Sequence, residues 1–224
     1  MRRTFVRFIA AAACTATLAA CGGSSAPGGA PSTSGGSGAT GSTPAATQSP
    51  SGSGGQSPVA TESPVPPENA PPGDIPDNTA YVPYHSTPGG FTISVPEGWS
   101  RTTTHGSVTF TDKLNTIQMS WKPTSSAPTV ATATSTEVPE LQRTTRAFTL
   151  KKVSAGSLPA GPTVLIEYQI NSDPNPVTGK QYRLDVLRYE LFHNGNEVAL
   201  TLLSPVGADN VDPWRIVTES LKWH

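Results

Sequence analysis

The sequence predicts an α+β domain over residues 86–224, a central antiparallel sheet with helices packed against it. Three observations carry this expectation. Short stretches alternate apolar and polar residues with the two-residue period of a strand, as in Phe91-Thr92-Ile93-Ser94-Val95. Asn194-Gly195 separates two such stretches at hairpin spacing, and both residues accept the positive φ of a type I′ turn. Near the end of the chain, Trp214, Val217 and Leu221 fall on one helical face behind Asp212-Pro213.

Phe91, Ile93 and Val95 point inward from the first strand, which Pro96 stops and Gly98 turns, with Trp99 packing over its end. A second strand covers about 107–111, Asp112 to Asn115 form a turn, and Ile117, Met119 and Trp121 alternate in a third strand that Pro123 ends. Residues 125–147 are rich in Thr and Ala without strand alternation and read as helix. Pro139 in their midst implies two short helices or one kinked helix, with Pro139 in a first turn. A fourth strand spans 148–154 and leads to a turn over 156–162. Val164, Ile166, Tyr168 and Ile170 then alternate with Leu165, Glu167 and Gln169. A loop with Pro174, Pro176 and Gly179 follows, then a long strand over 181–193. Leu184, Val186 and Phe192 lie on one of its faces and Leu187, Tyr189 and Leu191 on the other, so it is expected to be central and covered on both sides. Val198, Leu200 and Leu202 form the return strand to Pro205. In the closing helix Asp212 is the expected cap and Pro213 the first helical residue.

Before this domain, residues 21–85 are mostly Gly, Ser, Thr, Pro and Ala. Such a tract cannot bury enough surface to offset the entropy of ordering its backbone, and it reads as a disordered tether. A flexible coil of its length reaches about 40–47 Å, and polyproline-like extension takes it to about 190 Å at most. Tyr81, Val82 and Tyr84 mark where it begins to touch the domain. Ser and Thr beside Pro and Ala are also candidates for O-linked sugars.

Residues 1–20 read as an export signal. Arg2, Arg3 and Arg7 form a basic head, residues 8–18 an apolar core too short to span a membrane, and Leu18-Ala19-Ala20-Cys21 matches the lipobox at which bacterial lipoproteins are acylated and cleaved. Cys21 is therefore the expected lipidation site, carrying diacylglycerol on sulfur and an acyl group on the new amino terminus, since one chain alone anchors only marginally. The expected location is the outer face of the cell membrane, facing the wall. Arg2-Arg3 also fits a twin-arginine export motif, beside the simpler reading of an ordinary basic head.

The chain has two cysteines. Cys14 lies in the signal and Cys21 is committed to lipid, which excludes disulfides and thiolate metal sites in the mature monomer. Net charge is −1, and acidic and basic residues balance from Ser86 onward. Without a basic stripe, nucleic-acid binding is not expected.

Phe91-x-Ile93-x-Val95-Pro96-x-Gly98-Trp99, the apolar hairpin across Asn194-Gly195 and the closing Ser220-Leu221-Lys222-Trp223 resemble the PsbP-like domain, in particular the actinobacterial lipoproteins of the LpqN type. The resemblance covers about 86–223 and rests on packing residues. It implies an α/β/α sandwich on a central antiparallel sheet and a non-catalytic accessory role, and it carries over no functional residue.

No catalytic, cofactor-binding or metal-ligating motif is read from the sequence. Neither a Gly-x-Ser-x-Gly elbow nor Ser-x-x-Lys occurs. His85, His105, His193 and His224 lack the spacing of a ligand cluster, and each reads as a loop or strand-end residue. Asp173-Pro174-Asn175 lacks the Gly and Glu of a calcium loop and reads as polar surface. Gly179-Lys180-Gln181 reads as a turn rather than a phosphate loop. Glu167 and Asp185 could pair as carboxylates on neighbouring strands, although acids there would more often sit beside Arg183 or Arg188. Lys151-Lys152 reads as a solvated pair, with partner docking as the alternative. Trp99, Trp121, Tyr168, Tyr189 and Trp214 read as core. The expected function is a lipid-anchored, non-catalytic module that docks onto another envelope protein. The alternative is a carrier or sensor of a small apolar or lipidic ligand held between sheet and helices.

Overall fold

Over the described residues, apolar alternation and turn residues give two antiparallel sheets and two helical layers. The computed structural model describes residues 62–224. The export signal, Cys21 and the first part of the tether lie outside the described residues, so the structure does not bear on them.

The larger sheet has seven strands in the order β3-β4-β5-β9-β8-β7-β6, from β3 (Ser100–Thr104), β4 (Ser107–Asp112), β5 (Asn115–Pro123), β6 (Thr149–Leu158), β7 (Gly161–Asn171), β8 (Arg183–His193) and β9 (Asn196–Pro205). A smaller sheet pairs β2 (Phe91–Pro96) with β1 (Tyr81–Ser86) on one side and β10 (Lys222–Trp223) on the other. Asn194 and Gly195 both take positive φ, 46° and 80°, and set the register His193↔Asn196 of the hairpin between β8 and β9. The central strand is β9, with β8 beside it. Val198, Leu200 and Leu202 of β9 are buried on one face, Ala199 and Thr201 on the other.

Each face of the large sheet has its own core. On one face Val108, Phe110, Ile117, Met119, Leu191, Val198, Leu200 and Leu202 pack against the inward side of β2 and against Trp214, Val217 and Leu221. Trp214 and Val217 belong to the closing helix α3 (Val211–Glu219), and Leu221 follows it. On the opposite face Val164, Ile166, Tyr168 and Val186 pack against Ala133 and Val138 of the helical run after β5. The sandwich implied by the resemblance is thus present, with one outer layer shared between α3 and a three-stranded sheet.

That helical run is one kinked rod: α1 (Val130–Thr132), a π turn over Ala133–Glu137, and α2 (Val138–Thr144). A reciprocal cap starts it, because Thr129 Oγ1 accepts from the Thr132 N–H at 3.1 Å while Thr132 Oγ1 accepts from the Thr129 N–H at 2.9 Å. The π turn stands immediately before Pro139, whose ring cannot donate to the turn behind it.

Several expectations shift. β1, β3 and β10 are strands the sequence pattern does not announce. β3 is Ser-Arg-Thr-Thr-Thr, exposed throughout, and exists because β4 supplies its hydrogen bonds. β6 runs through Gly156 to Leu158, so the turn to β7 shrinks to Pro159-Ala160. The residue at the start of α3 is Asn210, not Asp212, which sits in the first turn.

The expected tether boundary at residue 85 moves as well. Residues 62–80 form a strap across the end of the large sheet where β7 and β9 finish and β5 and β8 begin. Glu62 accepts from Asn171 Nδ2 at 2.7 Å and from Arg146 Nη1 at 2.6 Å, and Val65 N donates to Asn171 Oδ1 at 3.0 Å. Glu68 pairs with Lys180. Asn115 Nδ2 and Asn210 Nδ2 both donate to the Gly73 carbonyl, at 2.7 and 2.9 Å. Ile75 then enters the core. A segment with one buried apolar side chain is ordered because three buried asparagines satisfy its backbone.

Candidate functional site

Two features stand out from the sheet, and each lies on a different face. One is a network of charges beneath the helical rod. Glu137 of the π turn reaches Lys122 Nζ at 3.2 Å and Arg188 Nη2 at 3.5 Å; Lys122 also holds Glu197 at 3.0 Å, and Arg188 Nε donates to Glu190 at 3.1 Å. Glu190 is buried, with 1% of its surface exposed. Burial pushes its carboxyl above the ordinary range, partly countered by Arg188, with the Glu137 charge pushing the same way as burial. Burial lowers the Lys122 ammonium, but Glu197 and Glu137 outweigh it and leave it raised. Carboxylate oxygens of Glu137, Glu190 and Glu197 lie within 4.8 Å of one another. Lys122 and Arg188 are their counter-ions, so the five side chains form a run of ion pairs, Glu197–Lys122–Glu137–Arg188–Glu190, that fastens rod to sheet.

The other feature is a groove of about 640 Å³ beside α3 on the opposite face. Leu187, Tyr189 and Leu202 supply apolar floor, and Leu158 and Pro159 of the β6–β7 hairpin close one end. Ser204, Ala208 and Asn210 border the other end. Along one side α3 presents Val211, Trp214, Arg215, Thr218 and Glu219. Lys151, Glu167 and Asp185 edge the side away from α3. Val211 is 75% exposed although apolar. Burial raises the Tyr189 hydroxyl, helped by the Glu167 charge. A second cleft of about 730 Å³ opens on the rod face over Ile170, Leu184 and Leu203; of its two lining cations, Lys113 and Arg146, the latter is held by Glu62 and Asp173.

The structure disperses the residues that the sequence offered for chemistry. His85 bonds Thr92 at 2.8 Å, His193 stacks on Trp223 at 4.9 Å with 6° between the planes, and His105 lies exposed in the β3–β4 turn. Asn175 Oδ1 accepts from the Val177 and Thr178 N–H groups, both at 3.0 Å, so the loop is an Asx turn and Asp173 answers Arg146 instead. Glu167 stands opposite Leu187 and Asp185 opposite Gln169, so these acids share a face and the groove without directly opposing each other. Of the two arginines expected near acids, Arg188 joins Glu190 and Glu137. Arg183 instead donates to neutral acceptors, the Ala147 carbonyl at 2.7 Å, Asn171 at 3.1 Å and Thr149 at 2.6 Å. Lys151 lies at a register shift in β6 and lines the groove, while Lys152 opposes Glu167 in the ladder. Trp99 meets Trp214 edge-on at 6.4 Å, and Trp121 meets Phe91 at 5.9 Å, as core residues do.

Sequence reasoning missed the charge network, and of the groove it offered only the alternative of a ligand held between sheet and helices, without its residues. Glu137, Lys122, Glu190 and Glu197 come from four elements, and only strand order brings them together. The groove had a signal in α3, where 211, 214, 215, 218 and 219 form a second stripe beside the core stripe.

Among the described residues no helix is long and apolar enough to cross a membrane. No family model matches the chain, and no curated protein does. Solved structures similar to it include cyanobacterial PsbP from Synechocystis sp. PCC 6803, at 17% identity over 69% of this chain and 100% of that one, with a TM-score of 0.48. LpqN of Mycobacterium tuberculosis, described as involved in cell envelope biogenesis, is 16% identical over 65% of this chain and 91% of that one, with a TM-score of 0.41. The Ran-binding protein Mog1p of Saccharomyces cerevisiae is 9% identical over 65% and 96%, with a TM-score of 0.44.

Proposed function

We propose that the chain is a non-catalytic binding module, held on the outer face of the cell membrane by diacylglyceryl and N-acyl groups at Cys21, and that it docks onto another envelope protein through the groove beside α3. The observation that supports this reading is the groove itself: open along its length, apolar in its floor, and edged by side chains of both signs. Apolar anchors surrounded by polar rims are what a polypeptide partner uses. The partner is a polypeptide segment, because five charged side chains along the edges suit peptide polarity better than an acyl chain.

A photoreactive amino acid at exposed Val211, in intact cells, tests the docking. The expected result is a discrete crosslinked protein that disappears when Leu187→Asp is added. A control position at Val177, on the exposed β7–β8 loop, should not yield it. Crosslinks that persist unchanged with Leu187→Asp would remove the groove from the proposal. The anchor is tested by Cys21→Ala, which should release the protein or leave it unprocessed; a mature, membrane-bound variant contradicts the lipid reading.

A second reading has one observation in its favour. About 640 Å³ falls within the usual range of small-molecule sites, about 300–1,000 Å³, so a small apolar ligand also fits. Native mass spectrometry of protein extracted from its own membrane decides this, since a retained acyl ligand appears as a fixed added mass.

A further inference from the structure

The strap over residues 62–80 is held in two unlike ways along its length. We infer that residues 62–70 form a charge-held clip that detaches while residues 73–80 stay fixed, so that the tether has a short and a long state. Tether length counts only for an anchored chain, so this step rests on the lipid reading of Cys21.

The clip puts nothing into the core. None of residues 62–70 is buried, and the bonds that hold it converge on Arg146 and residues 171–181. Glu62 accepts from Arg146 Nη1, Asn171 Nδ2 and Gln181 Nε2 at 2.6, 2.7 and 2.5 Å. Asn171 also donates to the Ser63 carbonyl at 2.9 Å and accepts from the Val65 N–H at 3.0 Å. Glu68 pairs with Lys180 at 2.5 Å.

Water reaches both ion pairs. The side chains of Glu62 and Arg146 are 22% and 33% exposed, those of Glu68 and Lys180 35% and 49%. Such pairs contribute little each, and salt screens them as the Debye length falls from about 10 Å at 0.1 M to about 3 Å at 1 M. Opening also strands no cation. Arg146 keeps Asp173 at 3.1 Å, Lys180 keeps the Tyr182 ring at 4.5 Å, and Asn171 Oδ1 keeps Arg183 at 3.1 Å.

Residues 73–80 are fixed by packing. The Gly73 carbonyl takes both Asn115 and Asn210, and a Cβ at Gly73 would lie 2.8 Å from Pro205 Cδ. Ile75 is buried with its N–H on Asn210. Detaching this part would expose an apolar side chain and leave buried amides unpaired, which ties it to the unfolding of the domain.

Pro71-Pro72 separates the two parts, and Pro64, Pro66 and Pro67 favour an extended polyproline form once the clip is free. Nine freed residues then add about 28 Å of reach at about 3.1 Å each. Tension along the tether loads Glu62 first, so the bonds of the clip give way in turn rather than together.

Amide exchange on the full chain carrying Cys21→Ala tests the clip, because the Val65 N–H stands between two prolines and gives an isolated signal. Its protection should fall about three- to tenfold between about 0.05 and 1 M NaCl, while that of Ile75 holds. Glu62→Gln combined with Glu68→Gln should lower Val65 protection at least about threefold at low salt and flatten its salt dependence. If that double variant does not fold, the salt series on the unaltered strap decides. Val65 and Ile75 losing protection together would show that the strap opens as one piece. A Val65 amide indifferent to salt, or unprotected at low salt, would show that no charge-held clip exists. Each of these results overturns the inference. The anchor fails separately: a Cys21→Ala chain that stays mature and membrane-bound removes the length effect and leaves the clip.

Discussion

Ile75 donates its backbone N–H to Asn210 Oδ1 at 2.8 Å, a bond between residues 135 positions apart in the chain. Asn210 stands at the start of α3, where its side chain would ordinarily cap the helix; it makes no such bond, because its oxygen serves Ile75 and its nitrogen serves Gly73 and Asn115. The strap before the first strand therefore holds the end of the groove wall, and the stability of that wall should respond to changes made far from it.

Asn210→Ala should lower stability by about 1–3 kcal/mol, because it leaves the buried Ile75 N–H unsatisfied along with an Asn115 oxygen. Asn210→Asp keeps the acceptor for Ile75 but sets a buried carboxylate oxygen against the Gly73 carbonyl and Asn115 Oδ1, so at neutral pH it should cost at least as much as Ala. Urea unfolding gives the magnitude, and amide exchange over residues 211–219 should show α3 loosening more than β8 and β9.

Glu62 makes the strap's other end sensitive to pH. Burial raises its carboxyl, but hydrogen bonds from Asn171, Arg146 and Gln181 outweigh this and hold it below the ordinary range. A depressed folded-state pKa contributes stability that is present above the unfolded value and lost as pH falls through the folded one. Glu62→Gln should therefore be less stable than wild type at neutral pH, and the difference should close on acidification below the ordinary carboxylate range. A gap that stays constant from neutral to acidic pH would show that Glu62 does not work through its charge.

Glu190 has the opposite sign. Its raised pKa means that stability is fully present below the unfolded value and declines as pH rises through the folded one. Glu190→Gln keeps an acceptor for Arg188 and removes that decline. Thermal melts from pH 4 to 8 should show the variant gaining on wild type as pH rises. Parallel curves would mean that the buried carboxyl does not titrate differently on folding.

Two glycines separate backbone effects from packing. At Gly195, φ is 80° and an added Cβ meets nothing closer than the Thr124 carbonyl at 3.9 Å, so Gly195→Ala should cost about 1 kcal/mol through conformation alone. Gly156 lies in β6 without positive φ, and an added Cβ makes ordinary contact with Thr163 at 3.5 Å. Gly156→Ala should be neutral or stabilising by about 0.5 kcal/mol. Denaturant midpoints compared at equal slope decide both.

The local pattern by itself determined most of the large sheet. Ile117 and Met119 of β5 face inward because alternation leaves them no other apolar surface to join, as do Phe91, Ile93 and Val95 of β2 in the smaller sheet, and Asn194-Gly195 sets the β8–β9 register because both residues tolerate positive φ. Pro139 announced the break in the helical rod for an equally local reason. What only the tertiary structure decided are the features that draw on distant parts of the chain. β3 has no apolar face to predict it and exists through β4; residues 62–80 have almost nothing to bury and are ordered by Asn115, Asn171 and Asn210. The ion-pair network around Glu190 and the groove beside α3 arise in the same way, from which strands are neighbours and how far one nine-residue helix reaches across them. Periodicity within a segment shows which side chains turn inward; it does not show what they meet, because that depends on strand order and on hydrogen bonds spanning more than a hundred residues.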